Sequence, residues 1–468
     1  MTTLTTTPSR PRRLVRRRDQ AGHALTASNR RAGDRRAVAD LVRAVTREPL
    51  PFRVTAYDGT DLGPADAPIR FHLASPAGLR HLLGAPGDLG AARAHLTGQL
   101  LIDGVHPGDP YPAFALIKRQ LQLRRPTPAE LAGVVAGVVA GLGPSGLGLS
   151  DLRTPARPEQ ERPPRWLRPL QGWRGWDRSA RAVNHHYDVS NAFYERVLGP
   201  SMTYTCAVYA DPSDSLEQAQ DRKYALVAGK LGLRPGMTLL DVGCGWGGMV
   251  RHAAREHGVR ALGVTLSREQ AQWAQQAIER EGLSHVAQVR HLDYRKLAPG
   301  RFDAISSIGL TEHVGARNYP GYFAFLRSRL RPGGRLLNHC ITRVDGRSSV
   351  RPQAFTDRYV FPGGELAAPG RIIAAAHDAG LEVQHEENLR MHYAHTLTAW
   401  CANLVTHWDE CVAEVGEVTA RVWGLYLAGS RFAFETNGLQ LHQVLATRPS
   451  ADGSPGFPLR PDWDPQTH

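Results

Sequence analysis

Residues 238–248, Thr-Leu-Leu-Asp-Val-Gly-Cys-Gly-Trp-Gly-Gly, carry the pattern that decides the fold. An apolar run enters a glycine-rich turn, and a helical pattern starts directly after it. Such a turn lets backbone N–H groups approach a ligand, because glycine has no Cβ. The spacing G-x-G-x-G is not the G-x-G-x-x-G of dinucleotide-binding proteins, and Asp241 favours a ligand that carries an amino group. The stretch therefore predicts binding of S-adenosylmethionine; the alternative is a tight turn without a ligand.

The composition of the chain limits its class. Its 468 residues suffice for two or three domains, and its net charge of +13 fits an anionic partner, either a membrane surface or a nucleic acid. Only four of the 57 basic residues are lysines, so an arginine-rich coding bias is an alternative explanation of the charge. The five scattered cysteines lack a C-x-x-C pair, which predicts a reducing cytoplasm and neither a disulfide framework nor a metal site.

Membrane contact, where it occurs, is expected to be peripheral. Residues 1–20 have no apolar segment typical of a secretory signal, and the longest apolar stretch, 131–142, is shorter than the roughly 20 residues of a spanning helix. Trp166, Trp173 and Trp176 alternate with arginines, which favours an interfacial contact with anionic lipids; packing against neighbouring cores is the alternative. We expect a cytoplasmic protein at the membrane surface.

A small α+β domain is predicted to precede a larger α/β domain. The expected segments are a basic disordered arm (1–36), a small lipid-associated α+β domain (37–142), a Pro/Gly/Arg/Trp linker (143–180), the α/β domain (181–455) and a tail (456–468). In the small domain, alternating apolar residues predict strands at 52–57, 69–73 and 99–104. The capping box formed by Thr127 and Glu130 predicts the start of a helix.

In the larger domain, strands alternate with helices, which is typical of a doubly wound, Rossmann-like parallel sheet. The predicted strands cover 238–243, 260–266, 286–292, 302–308, 335–342 and 380–387. The predicted helices lie near 215–231, 247–257, 267–282 and 319–331, and a helical cap rich in Trp, Leu and Phe is expected over 396–445.

Polar side chains follow the predicted strands, at the edge where such a sheet binds ligands. No acid ends the second strand; Ser267 and Gln270 follow it, and Gln270 either completes a helix capping box or reaches the ribose hydroxyls. Asp293 and Tyr294 follow the third strand, where an acid that contacts adenine is expected.

Further His, Tyr and Glu side chains are predicted to gather at the same edge. Glu312 lies in a glycine-flanked loop after the fourth strand, His339 at the end of the fifth, and Tyr393 in a downstream His/Tyr-rich segment. Taken singly, each His or Tyr is more often structural. Their joint placement at one end of the sheet favours a site.

Six motifs resemble, in their order, those of the cyclopropane-fatty-acyl-phospholipid synthases and the related mycolic acid cyclopropane synthases. They are Tyr-Asp-Val-Ser-Asn-x-Phe-Tyr (187–194), Tyr-Thr-Cys (204–206), Asp-Val-Gly-Cys-Gly-Trp-Gly-Gly (241–248), Thr-Leu-Ser-x-Glu-Gln (265–270), Glu-His-Val-Gly (312–315) and Asn-Leu-Arg-x-His-Tyr (388–393). The resemblance is strong over 180–445 and looser over 50–142.

This resemblance implies methyl transfer from S-adenosylmethionine to the cis double bond of an unsaturated phospholipid acyl chain. The alkene is the nucleophile, and a bound bicarbonate removes a proton from the resulting carbocation. The implied bicarbonate pocket comprises Cys206, Glu312, His339, the backbone of Ile341, and Tyr393. The implied cofactor positions are Tyr204, Thr205, Asp241, Gly243, Cys244, Gly245, Thr265, Gln270, Asp293 and Tyr294.

The fate of the carbocation separates two products. Proton loss with ring closure gives a cyclopropane, which is the expected product; a hydride shift before proton loss gives a 10-methylene chain, the precursor of a 10-methyl acid. Thr311 occupies a position that is usually aromatic in the phospholipid-acting relatives, and Cys340 one where threonine or another small residue is common. We expect both residues to lie beside the cation.

Two other classes of function are alternatives. A non-catalytic lipid-binding protein would fit the small domain and the basic arm, but it gives the cofactor turn no role. A methyltransferase for nucleic acid or for a soluble acceptor would use the turn, yet the sequence has no aromatic-basic platform near the sheet and no nucleic-acid recognition module, so we expect no nucleic-acid partner. A homodimer is left open.

Overall fold

The computed structural model describes residues 36–130, 132–133, 155–161, 189–346, 353–461 and 463. Four features predicted above lie outside these residues: almost all of the basic arm, most of the helix after Glu130, the three linker tryptophans, and the first two residues of the 187–194 motif. The predicted linker is described only over 155–161, and the tail through 461 and at Trp463.

The described residues form two compact units. Of the first, which has the bounds Met1–Glu48, Asp58–Thr60 and Leu123–Arg153, the structure describes 36–48, 58–60, 123–130 and 132–133. In it, helix Ala37–Val45 is held through the backbone N–H of Val38, which donates to Asp58 at 2.9 Å. The predicted capping box is confirmed: the N–H of Glu130 donates to the Thr127 hydroxyl at 3.2 Å, and the N–H of Thr127 donates to the Glu130 carboxylate at 2.7 Å.

The second unit draws on Pro49–Tyr57, Asp61–Gln122 and Thr154–His468 and contains two sheets. The smaller sheet has the order β2-β1-β3-β4, with β1 parallel to β3. Its strands are β1 (Arg53–Ala56), β2 (Asp61–Leu62), β3 (Arg70–Leu73) and β4 (Leu100–Asp103), and its helices are Pro76–Gly84, Asp88–Leu96 and Tyr111–Gln120. The three predicted strands are confirmed; β2 has two residues, too few for an alternating pattern.

The larger sheet has seven strands in the order β10-β11-β9-β8-β5-β6-β7. They are β5 (Thr238–Val242), β6 (Arg260–Thr265), β7 (Ala287–His291), β8 (Phe302–Ile308), β9 (Leu330–Thr342), β10 (Glu382–Asn388) and β11 (Gln440–Thr447). Strands β5 to β9 are parallel, and β11 runs antiparallel between β9 and β10. Because β5 pairs with both β6 and β8, the chain changes direction across the sheet there, and a crevice forms at the carboxyl ends of these strands.

The helices of the larger sheet agree with the predicted periodicity. The four predicted helices are Leu216–Leu231, Gly248–His257, Arg268–Arg280 and Tyr319–Arg329. Further helices are Asn191–Leu198, Thr311–Val314, Ala354–Tyr359, Pro369–Asp378, Arg390–Thr406, Trp408–Val415 and Glu417–Glu435.

The prediction of a helical cap through 445 is wrong at its end. The cap helices stop at Glu435, and 440–447 is strand β11. Every residue from Leu441 to Thr447 is buried, since β11 is flanked by strands on both edges and covered on both faces. A short, continuously buried run has no period of two, so its sequence does not distinguish a strand from a helix.

A large aromatic cluster connects the cap helices to the glycine-rich turn. Trp246 of the turn packs against Tyr194 with ring centroids 4.9 Å apart, and its indole N–H donates to Asn191 at 2.9 Å. Tyr194 also meets Trp423 of the last cap helix edge to face, at 5.5 Å. These contacts hold the turn against apolar side chains far away in the sequence.

Glu161 anchors the described part of the predicted linker. Its buried carboxylate accepts hydrogen bonds from the guanidinium groups of Arg93 at 2.6 Å and Arg358 at 2.9 Å, and from the Tyr359 hydroxyl at 3.1 Å. Because a buried carboxylate is costly without partners, these bonds hold residues 155–161 in place.

Other global features concern membranes and cysteines. Within the residues that the structure describes, no helix combines the length and the apolar character needed to cross a membrane. All five cysteines are buried and free.

The last cap helix, Glu417–Glu435, provides a matched pair of glycines that tests this packing. A Cβ at Gly424 would lie 2.1 Å from the carbonyl oxygen of Pro107, whereas a Cβ at Gly429 would have its nearest neighbour, Phe114, at 3.9 Å. We expect Gly424→Ala to lower the free energy of unfolding by about 1–3 kcal/mol, measured from the urea midpoint. Gly429→Ala should be neutral or stabilising by up to about 1 kcal/mol. Equal effects of the two substitutions would contradict the close approach at Gly424.

Candidate active site

A cavity of about 650 Å³ opens at the carboxyl ends of β5, β6 and β8, where the sheet topology places a crevice. All ten residues that the sequence assigned to the cofactor line this cavity: Tyr204, Thr205, Asp241, Gly243, Cys244, Gly245, Thr265, Gln270, Asp293 and Tyr294. They come from four separate segments of the chain, 204–205, 241–245, 265–270 and 293–294, which the fold brings together.

The glycine-rich turn needs glycine because of its backbone conformation. Gly243 and Gly247 both have φ of +77°, in the left-handed region that residues with a Cβ rarely adopt. The N–H groups of Gly243 and Cys244 donate to the carbonyl of Val264 at 2.9 and 3.1 Å. These two amides therefore fix the turn on β6, although the sequence pattern led us to expect them to face a ligand.

Asp241, the last residue but one of β5, is a buried carboxylate on the cavity wall. The hydroxyl of Ser306, its partner on β8, donates to Oδ1 at 2.6 Å. Burial raises the pKa of Asp241 to about 6, although the Ser306 hydrogen bond and the charge of Lys223 oppose this shift. The carboxylate is thus poised to become more stable when a cation enters the cavity.

Lys223 is a cavity residue that our sequence analysis did not identify. Its ammonium is buried, donates to the Thr205 hydroxyl at 3.2 Å and lies 3.7 Å from the centre of the Tyr224 ring. Burial lowers its pKa to about 7. A signal was present in the sequence: Lys223 and Lys230 are two of only four lysines and lie two helical turns apart, on the face that also buries Ala219 and Leu226.

Gln270 lines the cavity, and its side chain does not complete the capping box that the sequence allowed as one alternative. Ser267 does cap the helix, since its hydroxyl accepts the N–H of Gln270 at 3.2 Å. The Gln270 side chain, however, accepts a hydrogen bond from the Thr265 hydroxyl at 2.7 Å, and the N–H of Ser267 donates to Thr265 instead. The reciprocal half of a capping box is therefore replaced by a contact within the cavity wall.

Asp293 and Tyr294 line the far end of the cavity. Asp293 accepts from the backbone N–H of Arg295 at 3.0 Å and forms an ion pair with its guanidinium, which holds the pKa of Asp293 below its usual value although burial opposes this shift. The ring of Tyr294 packs edge to face on Tyr322 and Phe325. The carboxylate is thus ionised and fixed.

The five residues predicted for the bicarbonate pocket lie outside the lining of this cavity. Glu312 Oε1 accepts the N–H of Ile341 at 2.7 Å, and its Oε2 is buried without a partner among the described residues. Burial raises the pKa of Glu312 to about 7. The Ile341 amide that was expected to face the anion is therefore bonded to Glu312.

His339 shares the face of β9 with Ile341. Its Nδ1 lies 3.2 Å from the side-chain nitrogen of Gln443, its neighbour on β11, and its Nε2 is buried without a partner among the described residues. Burial, reinforced by the charges of Lys223 and Lys230, lowers the pKa of His339 well below its usual value. The imidazole is therefore neutral.

Cys206 and Tyr393 approach the same backbone carbonyl. The Cys206 thiol lies 3.7 Å from the carbonyl oxygen of Leu389, which also accepts the N–H of Tyr393 at 3.2 Å. Burial raises the pKa of Cys206, so the sulfur is a thiol and not a thiolate. The Tyr393 ring packs on Phe434 with centroids 4.6 Å apart.

In two segments of the chain, residues that line the cavity are direct neighbours of residues predicted for the bicarbonate pocket. Tyr204 and Thr205 line the cavity, whereas the next residue, Cys206, lies in the aromatic cluster. His313 lines the cavity, whereas the preceding Glu312 bonds to β9. The two groups of predicted residues are therefore adjacent through the chain itself.

Thr311 and Cys340 both contact the side chain of Asn338. The Thr311 hydroxyl donates to Asn338 at 2.6 Å, and the Asn338 amide donates to the Cys340 sulfur at 3.3 Å. Successive residues of a strand alternate between its faces, so Asn338 and Cys340 lie on the face of β9 opposite His339. Cys340 packs there with Leu336 and Phe323. Thr311 and Cys340 therefore belong to a buried contact with Asn338.

Comparison with known proteins agrees with this arrangement. Residues 175–444 match the family described as mycolic acid cyclopropane synthetase. The chain is 55% identical over 429 residues to a probable fatty acid methyltransferase of Mycobacterium tuberculosis, covering 92% of this chain and 98% of that protein. It is 37% identical over 268 residues to the cyclopropane-fatty-acyl-phospholipid synthase of Escherichia coli, covering 57% and 68%.

A solved structure of similar fold is the mycolic acid cyclopropane synthase CmaA1 complexed with SAH and CTAB. It superposes with a TM-score of 0.54 at 31% identity and covers 57% of this chain and 97% of that one. The family match over residues 175–444 includes the cap helices and all of the larger sheet except the end of β11.

Lys223→Met tests the burial of the lysine in the protein without ligand. The pKa of Lys223 is about 7 when folded, against about 10.4 for an unfolded lysine. Between these values the unfolded chain binds a proton that the folded one does not, so wild-type stability rises with pH; below pH 7 this dependence disappears. Lys223→Met lacks this dependence. We therefore expect its free energy of unfolding, relative to that of wild type, to fall from pH 7 to pH 9 by up to about 1.4 kcal/mol per pH unit in urea denaturation.

Lys118→Met, at an exposed lysine, serves as the control. The difference between its free energy of unfolding and that of wild type should stay constant from pH 7 to pH 9. A pH-independent difference for Lys223→Met as well would show that the Lys223 ammonium is solvated.

Proposed function

Since the chain belongs to the mycolic acid cyclopropane synthetase family and is an S-adenosylmethionine-dependent fatty acid methyltransferase, we propose that its acceptor is the cis double bond of unsaturated phospholipid acyl chains and its product a cyclopropane. The observation that carries this proposal is the aromatic wall at Tyr204. Its ring lines the cofactor cavity and lies 5.4 Å from Trp400 and 5.8 Å from Trp423. An apolar acceptor fits there, and aromatic faces stabilise a carbocation.

The residues of the cavity suit S-adenosylmethionine in their chemistry. The buried Asp241 is an acceptor for the methionine ammonium, and the neighbouring glycines leave room for the chain of the cofactor. Gln270 and Thr265 offer amide and hydroxyl groups to the ribose, and Asp293 is held near the place expected for adenine.

The second group of residues fits an anion that both donates and accepts hydrogen bonds. Glu312 Oε2 and His339 Nε2 are buried polar atoms without partners among the described residues, and such atoms are costly unless a ligand satisfies them. Bicarbonate has both donor and acceptor oxygens, and when bound it supplies the base that the proton of the carbocation needs. Glu312, held by the Ile341 amide, and His339 orient it, while the Cys206 thiol stays protonated.

The methylene product is the second candidate. It is favoured by one observation: the relative that matches 92% of this chain is called a fatty acid methyltransferase, without reference to cyclopropane. We further propose that the protein meets its substrate at an anionic phospholipid surface, as supported by its net charge of +13. Both candidates use the same cofactor site and the same carbocation.

Product analysis tests the proposal. The protein is incubated with methyl-labelled S-adenosylmethionine and vesicles of dioleoyl phospholipid, and the fatty acids are analysed by mass spectrometry. We expect labelled cyclopropane fatty acid, with dipalmitoyl vesicles, which lack an alkene, as the control. Labelled fatty acid that catalytic hydrogenation converts readily to a methyl branch would identify the methylene product instead. No labelled fatty acid from dioleoyl vesicles would refute the proposal.

The raised pKa of Asp241 predicts how cofactor affinity depends on pH. Because an ionised carboxylate is needed to bind the ammonium, and the pKa of Asp241 is about 6, protonation below pH 6 competes with binding. We expect the dissociation constant to rise about tenfold per pH unit below pH 6, by calorimetry, and to level off above pH 7. In Asp241→Asn binding should be weaker and lack this dependence; an unchanged pH profile in that variant would assign the effect to another group.

Glu312→Gln separates catalysis from cofactor binding. The amide preserves the size of the side chain and an oxygen for the Ile341 N–H, but it cannot take a proton. We expect turnover to fall by roughly 100-fold or more, with cofactor affinity within about threefold of wild type. The exposed Glu410→Gln is the matched control. An equal loss of affinity and turnover would mean that Glu312 supports the cofactor cavity.

A further inference from the structure

A row of buried polar side chains crosses the antiparallel part of the larger sheet behind His339. Strand register places Glu387 on β10, Gln443 on β11 and His339 on β9 as successive neighbours. Lys230, from helix Leu216–Leu231, reaches the row from one side; its ammonium forms an ion pair with Glu387 and donates to Gln443 Oε1 at 2.7 Å. Lys230, Gln443 and His339 are each at most 1% exposed.

The charge of Lys230 fixes the orientation of the Gln443 amide. An ammonium has three donors and no acceptor, so it must face the carbonyl oxygen of the amide. The amide nitrogen of Gln443, which only donates, is then the atom that lies 3.2 Å from His339 Nδ1. His339 Nδ1 is therefore an acceptor and carries no proton.

The protonation of the second imidazole nitrogen follows. His339 is neutral, because burial and the nearby lysines depress its pKa. A neutral imidazole carries its one proton on the nitrogen that is not the acceptor. That nitrogen is Nε2, which is buried without a partner among the described residues.

We propose that Lys230 and Gln443 are positioning residues that lock His339 in its Nε2–H tautomer, so that His339 acts as a hydrogen-bond donor to the anion and not as the base. The identity of the anion rests on the proposed function, whereas the tautomer does not. In this arrangement Glu312, with a pKa of about 7 and a free Oε2, is the side chain able to accept the proton. Buried polar groups lower stability unless all of them are paired, so apolar side chains would serve packing better than Lys230, Gln443 and His339.

The tautomer is measured directly by ¹⁵N NMR of protein labelled at histidine, with the His339 signals identified by their loss in His339→Gln. We expect the shifts of a protonated Nε2 and an unprotonated Nδ1 in wild type. Gln443→Glu replaces the donor by a carboxylate oxygen, which accepts from His339 Nδ1–H, so the pattern should reverse or become that of an imidazolium. Wild-type shifts of the Nδ1–H form, or an unchanged pattern in Gln443→Glu, would overturn the proposal.

Lys230→Met gives a second test that keeps the Gln443 amide. Without the ammonium the amide is free to rotate, so we expect signals from both tautomers of His339. A single Nε2–H form in this variant would show that Lys230 does not set the orientation. Together with the wild-type spectrum, this variant decides the question even if Gln443→Glu does not fold.

Anion binding provides a readout that does not depend on turnover. We expect bicarbonate, at constant ionic strength, to raise the melting temperature of the wild-type protein, with chloride as the reference. The affinity derived from this shift should be weaker by roughly ten- to hundred-fold in Gln443→Glu, while the affinity for S-adenosylmethionine stays within about threefold. The control is Gln384→Glu, a β10 glutamine whose amide donates to Thr447 at 3.1 Å, which should bind bicarbonate like wild type.

The outcomes separate this proposal from the proposed function. Bicarbonate affinity in Gln443→Glu equal to wild type would overturn the donor role of His339. No response of wild type to bicarbonate would overturn bicarbonate as the anion of the proposed function, while the ¹⁵N shifts of wild type still decide the tautomer. Neither result depends on whether lipid is methylated, which the product analysis measures separately.

Discussion

The burial of Asp241 at the carboxyl end of β5 is the constraint on which the rest of the site depends. A carboxylate without partners is costly inside a protein, so the surrounding structure must compensate for it. The Ser306 hydroxyl on β8 donates to it, the buried Lys223 supplies an opposing charge, and the glycine-rich turn leaves open space directly after it. Burial nevertheless raises the pKa of Asp241 to about 6, which means that the ionised carboxylate is destabilised in the folded protein. A bound cation would offset this cost, so the stability of the fold is linked to cofactor binding.

The residues proposed for the anion site directly follow or precede residues of the cofactor cavity in the sequence. Thr205 faces the cofactor cavity and Cys206 the aromatic cluster; His313 faces the cavity and Glu312 the strand β9. The cofactor cavity and the proposed anion site are therefore adjacent along the backbone at both places. The cysteine and the histidine are both neutral through burial, which leaves Glu312 as the group of intermediate pKa. An apolar acceptor and a transient cation suit such surroundings better than a charged nucleophile does.

Much of the fold and the cavity could be predicted from the sequence because they depend on local patterns. Six strands and four helices of the larger domain follow from periodicity, and the cavity residues follow from their position after parallel strands. Three features could not be predicted. Strand β11 is buried on all sides and shows no alternation. The position of Lys223 on a buried helix face is visible in the sequence, but its contact with the Thr205 hydroxyl in the cavity is not, and Lys230 meets Gln443 across 213 residues of sequence. Thr311 and Cys340 were expected beside the cation because they adjoin Glu312 and His339 in the sequence. The motifs do not give the hydrogen bonds that their side chains form with Asn338.

The central claim is that an alkene takes the methyl group and that a base near Glu312 and His339 then removes one hydrogen from that methyl carbon. Deuterium counting tests it most directly: the protein is supplied with S-adenosylmethionine carrying a trideuterated methyl group and with dioleoyl phospholipid, and the product acyl chains are weighed by mass spectrometry. Loss of one deuterium, with two retained in the fatty acyl chain, is the predicted result for either the cyclopropane or the methylene product. Retention of all three deuterium atoms would mean that the methyl group is transferred intact to an ordinary nucleophile, and it would contradict the account.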